Sequence, residues 1–448
     1  MTTGQKTPTA LGTEKIGKLL IQYAVPAIIA MTASSLYNMV DSIFIGHGVG
    51  RMAISGLALT FPLMNLAAAF GSLVGVGAAT LVSVKLGQKD YDTAQRVLGN
   101  VLVLNIIIGL AFTVLTLLFL DPILYFFGGS EATIGYARDY MEVILLGNVV
   151  THLYLGLNAV LRSAGHPQKA MYATIATVVI NTILDPLFIF VFDWGIRGAA
   201  IATIVGYLCS DLYFLWLLHK KSRCLSVKLS QCHVTGRELQ QILGVGVTAA
   251  LSNLMQSLTV IVMNQFLLPY GNDKIAAMGI ASKVSMIAQL VLVGFSFGGI
   301  PLFGYLYGAK KRDVMRKLIR FCLTFLVSIA VVLSLILCLN SGVLMRLFVQ
   351  DAGMIATGAQ MLRWQVYTAA FGGVVLLLTV LFQATGKIVP SFLLSISRQG
   401  VVFLLALVVC VHLFQYQGVL MAQAVADILS AALALGLLAA NRDIIAKQ

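Results

Sequence analysis

Apolar positions run through this chain in long stretches almost free of charge, divided by short polar turns rich in glycine, lysine and arginine. Each stretch can supply the roughly 20 apolar residues that a membrane-spanning helix needs. The pattern predicts twelve helices, near residues 16–45, 52–85, 93–120, 133–163, 168–192, 198–219, 238–268, 275–307, 314–339, 354–385, 388–413 and 418–440. The spans average longer than about 20 residues, so tilt, or helix reaching past the bilayer, is expected. The fold class is therefore an all-α polytopic membrane protein.

Composition sharpens that reading. Of 448 residues, 59% are hydrophobic and only 10% charged, against roughly 25% charged in a soluble domain. Too little charge is present to cover a water-facing surface, which excludes a soluble enzyme. The net charge of +13, from 30 Lys and Arg against 17 Asp and Glu, would suggest nucleic acid in a soluble protein. Here the basic residues sit in loops between apolar runs, where they orient a membrane protein. Placed on alternate sides of the twelve spans, 22 fall on the side of the termini and six on the other, with Lys283 and Arg398 inside spans. That split puts both termini in the cytoplasm, in a multi-pass protein of the cell membrane.

Cys209, Cys322, Cys338 and Cys410 lie in apolar runs and read as small buried hydrophobes. Cys224 and Cys232 share one loop with His219 and His233, at a spacing that fits no standard zinc finger. Residues 1–15 are polar and the first apolar run is too long for a cleavable signal.

The chain also repeats itself at an offset near 221 residues. Leu161-Arg162-Ser163-Ala164-Gly165 matches Phe382-Gln383-Ala384-Thr385-Gly386, and Gly87-Gln88-Lys89 matches Gly308-Ala309-Lys310. Gly198 and Ala202 match Gly418 and Ala422. An even number of spans separates the partners, so two six-helix halves share one orientation, and parallel repeats of this kind place their site at the interface. The expected organisation is an N-lobe at 1–219, a cytoplasmic linker at 220–237 and a C-lobe at 238–448.

An ionisable side chain inside a span is expensive and points to function. Asp41 in span 1 shares a helical face with Tyr37 and Asn38, and Asp185 in span 5 shares one with Asn181. Pro186 weakens the helix directly after Asp185, and Pro26 permits a bend in span 1. Counting at 1.5 Å per residue puts Asp185 about 26 Å from the cytoplasmic start of span 5 and Thr203 at a similar depth in span 6. Asp41, Asn181, Asp185 and Thr203 thus converge in the outer half of the first lobe, an oxygen set suited to a hard cation or to one proton shared between acids. The second lobe carries Lys283, Arg398 and Asp427 near its midplane instead. Asp427 is expected to pair with Arg398 or Lys283, leaving one cation over. Asn105, His152, Asn253 and Gln256 read as polar contacts between helices, Tyr140 and Tyr367 as possible cavity liners, and Gly71 to Gly77 as a site of close packing.

These features resemble the multidrug and toxic compound extrusion (MATE) family over nearly the whole chain. The resemblance rests on Leu36-Tyr37-Asn38-Met39-Val40-Asp41-Ser42-Ile43-Phe44-Ile45-Gly46, on Leu161 to Pro167, and on Asn181-Thr182-Ile183-Leu184-Asp185-Pro186. These segments look like the DinF branch, which implies a coupling cation, H+ or Na+, on Asp41, Asn181, Asp185 and Thr203. A metal there is implied only if sodium couples. Tyr37, Asn38, Asn158 and Tyr140 are implied as substrate-cavity positions, although depth counting puts Asn158 nearer the cytoplasm. The NorM branch, with acidic groups in spans 7 and 10, is not matched by any carboxylate expected to be buried there.

The resemblance implies a monomeric antiporter exporting amphipathic, often cationic, organic molecules by alternating access, with no covalent chemistry and no cofactor beyond the coupling ion. A lipid or lipid-linked saccharide flippase of the same superfamily is the alternative, kept open by Lys283 and Arg398.

Overall fold

The computed structural model describes residues 16–220 and 236–445, and every regular element among them is helical. The expected linker at 220–237, with Cys224, Cys232 and His233, lies outside the described residues but for its ends. Among the described residues, nine helices are long and apolar enough to cross a membrane, or eleven with two bent pairs. One of the nine, Ile388–Ala440, has 53 residues, about 80 Å of helix against a bilayer core of about 30 Å. It breaks at Gln415, where φ is 49°. Its two arms complete the twelve expected spans among the described residues.

Packing divides the chain into two compact units, Ile29–Ala250 and Ile16–Ile28 with Leu251 onward. The boundaries differ from those expected at 219 and 238, because the first helix of each half contributes residues to both units. In the first unit the helices are α1 from Ile29 (α1 is Ile16–Gly48), α2 (Arg51–Gly87), α3 (Tyr91–Leu118), a short α4 (Leu120–Phe126), α5 (Ile134–Leu146), α6 (Asn148–Ser163), α7 (Pro167–Pro186) and α8 (Gly195–Lys220). The start of α9 (Gly236–Leu267) closes this unit against α2. Gly77 and Gly246 make that approach possible, since a Cβ on either would collide with the carbonyl of Ile242 or Leu73. The close packing expected of the Gly71 to Gly77 stretch is therefore present. Glu238, buried in the first turn of α9, is held by Arg96 at 3.2 Å and by Asn100 at 3.1 Å. A buried carboxylate in span 7 corrects the sequence expectation. Its partners make it a structural ion pair.

The second unit holds the rest of α9, α10 (Asn272–Gly298), α11 (Ile300–Gly308), α12 (Arg312–Leu339), a short α13 (Ser341–Arg346), α14 (Ala352–Tyr367), α15 (Ala369–Ala384), α16 (Ile388–Ile396) and the broken α17 (Val402–Ala440). The start of α1 belongs here, with Ala24 against Gly298.

The duplication is written into the backbone. Left-handed φ angles recur at Gly50 and Gly271, Lys89 and Lys310, and Gly165 and Gly386, each pair separated by the same offset. Lys89 and Lys310 take this conformation at 61° and 57° although neither is glycine. The bends recur too: 55° between α5 and α6, and 45° between α14 and α15.

Both units bury apolar cores, around Ile45, Phe112, Leu124 and Met141 in the first and around Met361, Leu362, Phe403 and Leu407 in the second. Outward faces stay apolar: Leu118 is 70% exposed and Leu339 83%, as lipid rather than water as solvent demands. Cys322 and Cys410 are buried, but Cys338 is only half-buried and Cys209 exposed. Cys209 corrects the expectation of burial: on an outer helix face, lipid accepts a thiol as readily as a protein core does.

Candidate cation site

The first half of the chain brings its predicted carboxylates together. Asp41 in α1 is 5% exposed and Asp185 in α7 is wholly buried. Their carboxyl groups lie close enough to interact with each other. Two buried carboxyl groups this close repel when both are ionised, because ionised oxygens accept but cannot donate, and a proton or another cation between them relieves that repulsion. The Oδ1 atom of each acid is buried and has no hydrogen-bond partner among the described residues.

Local sequence sets this geometry. Tyr37 and Asp41 sit one turn apart on α1, and Asn181 and Asp185 one turn apart on α7. Proline lacks the N–H that would continue the ladder, and after Pro186 the chain widens into a π-helical turn at Leu187–Val191. Asn181 Nδ2 donates to Asp185 Oδ2 at 2.8 Å, and its Oδ1 accepts from the Thr203 amide at 2.9 Å. The reverse orientation would set two acceptors against each other. Tyr37 Oη lies 2.6 Å from Thr203 Oγ1, and Thr203 Oγ1 lies 3.1 Å from Asn181 Oδ1. One chain of polar contacts thus runs from Tyr37 through Thr203 and Asn181 to Asp185 and Asp41.

Beside this chain lies a cavity of about 220 Å³, lined among others by Tyr37, Asn38, Asn181 and Thr203, with Tyr154, Thr174 and Tyr207 further along. Tyr37 and Asn38, both expected as substrate-cavity positions, are among the residues that line it. Asn158 is not on its wall: its amide donates to Thr174 Oγ1 at 3.2 Å and so holds a lining residue from behind. Tyr140, 2% exposed, packs in the apolar core, close enough to Asp41 and Asp185 to interact electrostatically. Tyr367 is 57% exposed. His152 joins α6 to α2 through Ala67 O at 3.0 Å, as expected of a polar helix contact. Asn105 bonds within its own helix, to Val101 O.

In the second unit Arg398 Nε bonds Asp427 Oδ1 at 2.7 Å, and Thr368 and Gln423 bond the same carboxylate. Of the two expected partners it is Arg398 that pairs with Asp427, through its Nε–H. Lys283 is exposed and has no polar partner among the described residues.

Sequence reasoning passed over Asp211 in α8, which is 4% exposed with neither oxygen hydrogen-bonded among the described residues. The signal that singled out Asp41 and Asp185, an ionisable residue inside a span, applies to it equally.

The MatE family profile matches residues 26–187 and 248–411, one segment in each half. The multidrug export protein MepA of Staphylococcus haemolyticus is 29% identical over 420 residues, covering 94% of this chain and 92% of MepA. MepA of Staphylococcus aureus is also 29% identical, over 429 residues, with 95% and 94% covered. Among solved structures, an outward-facing multidrug resistance MATE family transporter of the MOP superfamily superposes with a TM-score of 0.91 at 22% identity, covering 99% of both chains. A MOP superfamily transporter from Pyrococcus furiosus, described as having a binding pocket of reverse polarity, superposes with a TM-score of 0.93 at 22% identity over 100% of both.

Proposed function

The chain belongs to the MatE family, and from that membership and its buried acid pair we propose that it is a cation-coupled antiporter of the cell membrane. It exports amphipathic or cationic organic molecules in exchange for H+ or Na+, and the MepA relatives are named as multidrug export proteins. The carrying observation is the contact between Asp41 and Asp185, with Asn181 and Thr203 completing an oxygen-rich site beside a cavity. Coupling needs ion and drug to prefer different states. With the carboxyls joined by a proton or a metal ion, Tyr37 and Asn38 face a space of about 220 Å³, smaller than the roughly 300–1,000 Å³ of drug-sized pockets. Loss of the cation leaves two like charges in low dielectric. Their repulsion drives α1 from α7, with Pro26 and Pro186 as the yielding points, and enlarges the cavity for a cationic drug. Asn158 supports the wall through Thr174.

The second half supports coupling from the first half alone, as in the DinF-like branch. Its Asp427 is taken up by Arg398, and Glu238 at the start of α9 by Arg96. We read the basic loops as cytoplasmic, with both termini on that side, and the protein as acting as a monomer. A lipid-linked saccharide flippase is the second reading, favoured by Lys283, an exposed cation in a span with no polar partner among the described residues.

Proteoliposomes decide between them. Efflux of a cationic dye driven by an imposed pH or sodium gradient supports antiport and identifies the ion. Gradient-independent movement of a lipid-linked saccharide, with no dye transport, supports the flippase.

A further inference from the structure

We propose that Asp211 is a second proton-carrying site of the first unit, relaying protons between the Asp41–Asp185 pair and the Lys220 end of α8. The inference rests on the coupling role of that pair, with H+ as the coupling ion; sodium-driven efflux with no response to an imposed pH gradient overturns it.

Asp211 is 4% exposed, and both carboxyl oxygens lack a hydrogen-bond partner among the described residues. An ionised carboxylate stranded in this way bears the full cost of desolvation, whereas the neutral acid does not. The charged groups around it do not offset that cost. Arg162 of α6 forms no ion pair with it among the described residues, and Tyr154 of α6, whose ring packs on Tyr207 of α8, lies within electrostatic reach of it. The α7 residues packed nearby, Thr174 and Thr177, carry no charge, and Asp139 and Glu142 of α5 are engaged by Arg197 at the far end of α8. Nor does the surrounding suit a metal. A hard cation wants about six oxygens, and no group of three His, Cys, Asp or Glu that could hold one is found among the described residues. A proton is the occupant that fits.

Helix geometry connects this acid to the pair. Thr203, Tyr207 and Asp211 fall at i, i+4 and i+8 on one face of α8, about 12 Å from first to last. Thr203 belongs to the contact chain that ends on Asp185. The cavity runs from Thr203 to Tyr207 and Tyr154, and its 220 Å³ has room for several waters. Tyr154 packs against Tyr207 at 4.7 Å and Phe214 at 5.9 Å between ring centroids, and lies close enough to Asp211 to interact with its charge. The proton leaves a carboxyl oxygen of the pair, crosses the cavity through water and hydroxyl groups, and binds one Oδ of Asp211. From there it is released toward the Lys220 end, which the charge distribution assigns to the cytoplasm. Only O–H bonds form and break.

Two measurements on the full-length protein in liposomes test this. Infrared difference spectra between wild type and Asp211→Asn near neutral pH are expected to show loss of a protonated-carboxyl band, which Asp41→Asn and Asp185→Asn retain. No such loss anywhere across about pH 6–8 means that Asp211 is ionised, and overturns the proposal. In transport, Asp211→Asn is expected to slow gradient-driven dye efflux about tenfold, with dye-for-dye exchange at the wild-type rate and efflux restored by Asp211→Glu. Wild-type efflux by Asp211→Asn, or equal loss of exchange, overturns the relay alone. Full efflux by both pair variants overturns the coupling reading and the relay with it.

Discussion

Asp41 on α1 and Asp185 on α7 meet through their carboxyl groups, and each keeps its Oδ1 buried with no hydrogen bond among the described residues. In the proposed mechanism a proton or metal ion between the acids holds the two helices together, and its loss leaves two like charges that repel. Removing one charge should uncouple the machine without unfolding it. Asp41→Asn and Asp185→Asn are each expected to insert and fold normally and to lose gradient-driven efflux. Dye efflux from cells at matched expression reads the outcome, and full activity of both variants across about pH 6–8 contradicts the mechanism.

Thr203 links Tyr37 to Asn181 through its hydroxyl. Thr203→Val removes that oxygen and leaves two polar partners unsatisfied, a loss of about 1–3 kcal/mol. The concentration of coupling ion giving half-maximal efflux is expected to rise roughly tenfold or more, while Thr203→Ser stays near wild type. An unchanged ion dependence in the valine variant removes Thr203 from the site.

Lys283 has no polar partner among the described residues. Lys283→Ala is therefore expected to change which cationic dyes are exported while gradient-driven transport persists. A folded Lys283→Ala protein without any coupled transport shows that coupling extends into the second half.

Asp427, 1% exposed, satisfies Arg398, Thr368 and Gln423 together. Asp427→Ala leaves a partly buried guanidinium without its counter-charge, at a cost of about 3 kcal/mol, and should lower the Tm in detergent by several degrees. An unaltered Tm would show that water already satisfies Arg398.

Gly246 approaches the carbonyl of Leu73 so closely that any side chain collides, whereas nothing lies near a Cβ on Gly436. Gly246→Leu is expected to abolish the folded, monodisperse protein, and Gly436→Ala to leave it intact, as size-exclusion profiles would reveal.

Much of this architecture was legible in the chain itself. The bilayer excludes charge, so runs such as 93–120 and 314–339 mark spans, and helical arithmetic alone puts Asp41 with Tyr37 and Asp185 with Asn181. The repeat was visible because Gly165 and Gly386 must take a left-handed φ, which leaves glycine in both copies. What one sequence could not decide is which helices touch. The assignment of α1's start to the second unit and of α9's start to the first rests on glycine contacts between distant segments. The choice of Arg398 over Lys283 as partner of Asp427 depended on rotation about helix axes, which periodicity leaves open once a span is apolar all round. Asp211 became conspicuous only when neither of its buried carboxyl oxygens was found to have a hydrogen-bond partner among the described residues. In lipid, hydropathy determines what lies in the membrane, but close packing determines which buried polar groups find partners and which are left to bind an ion.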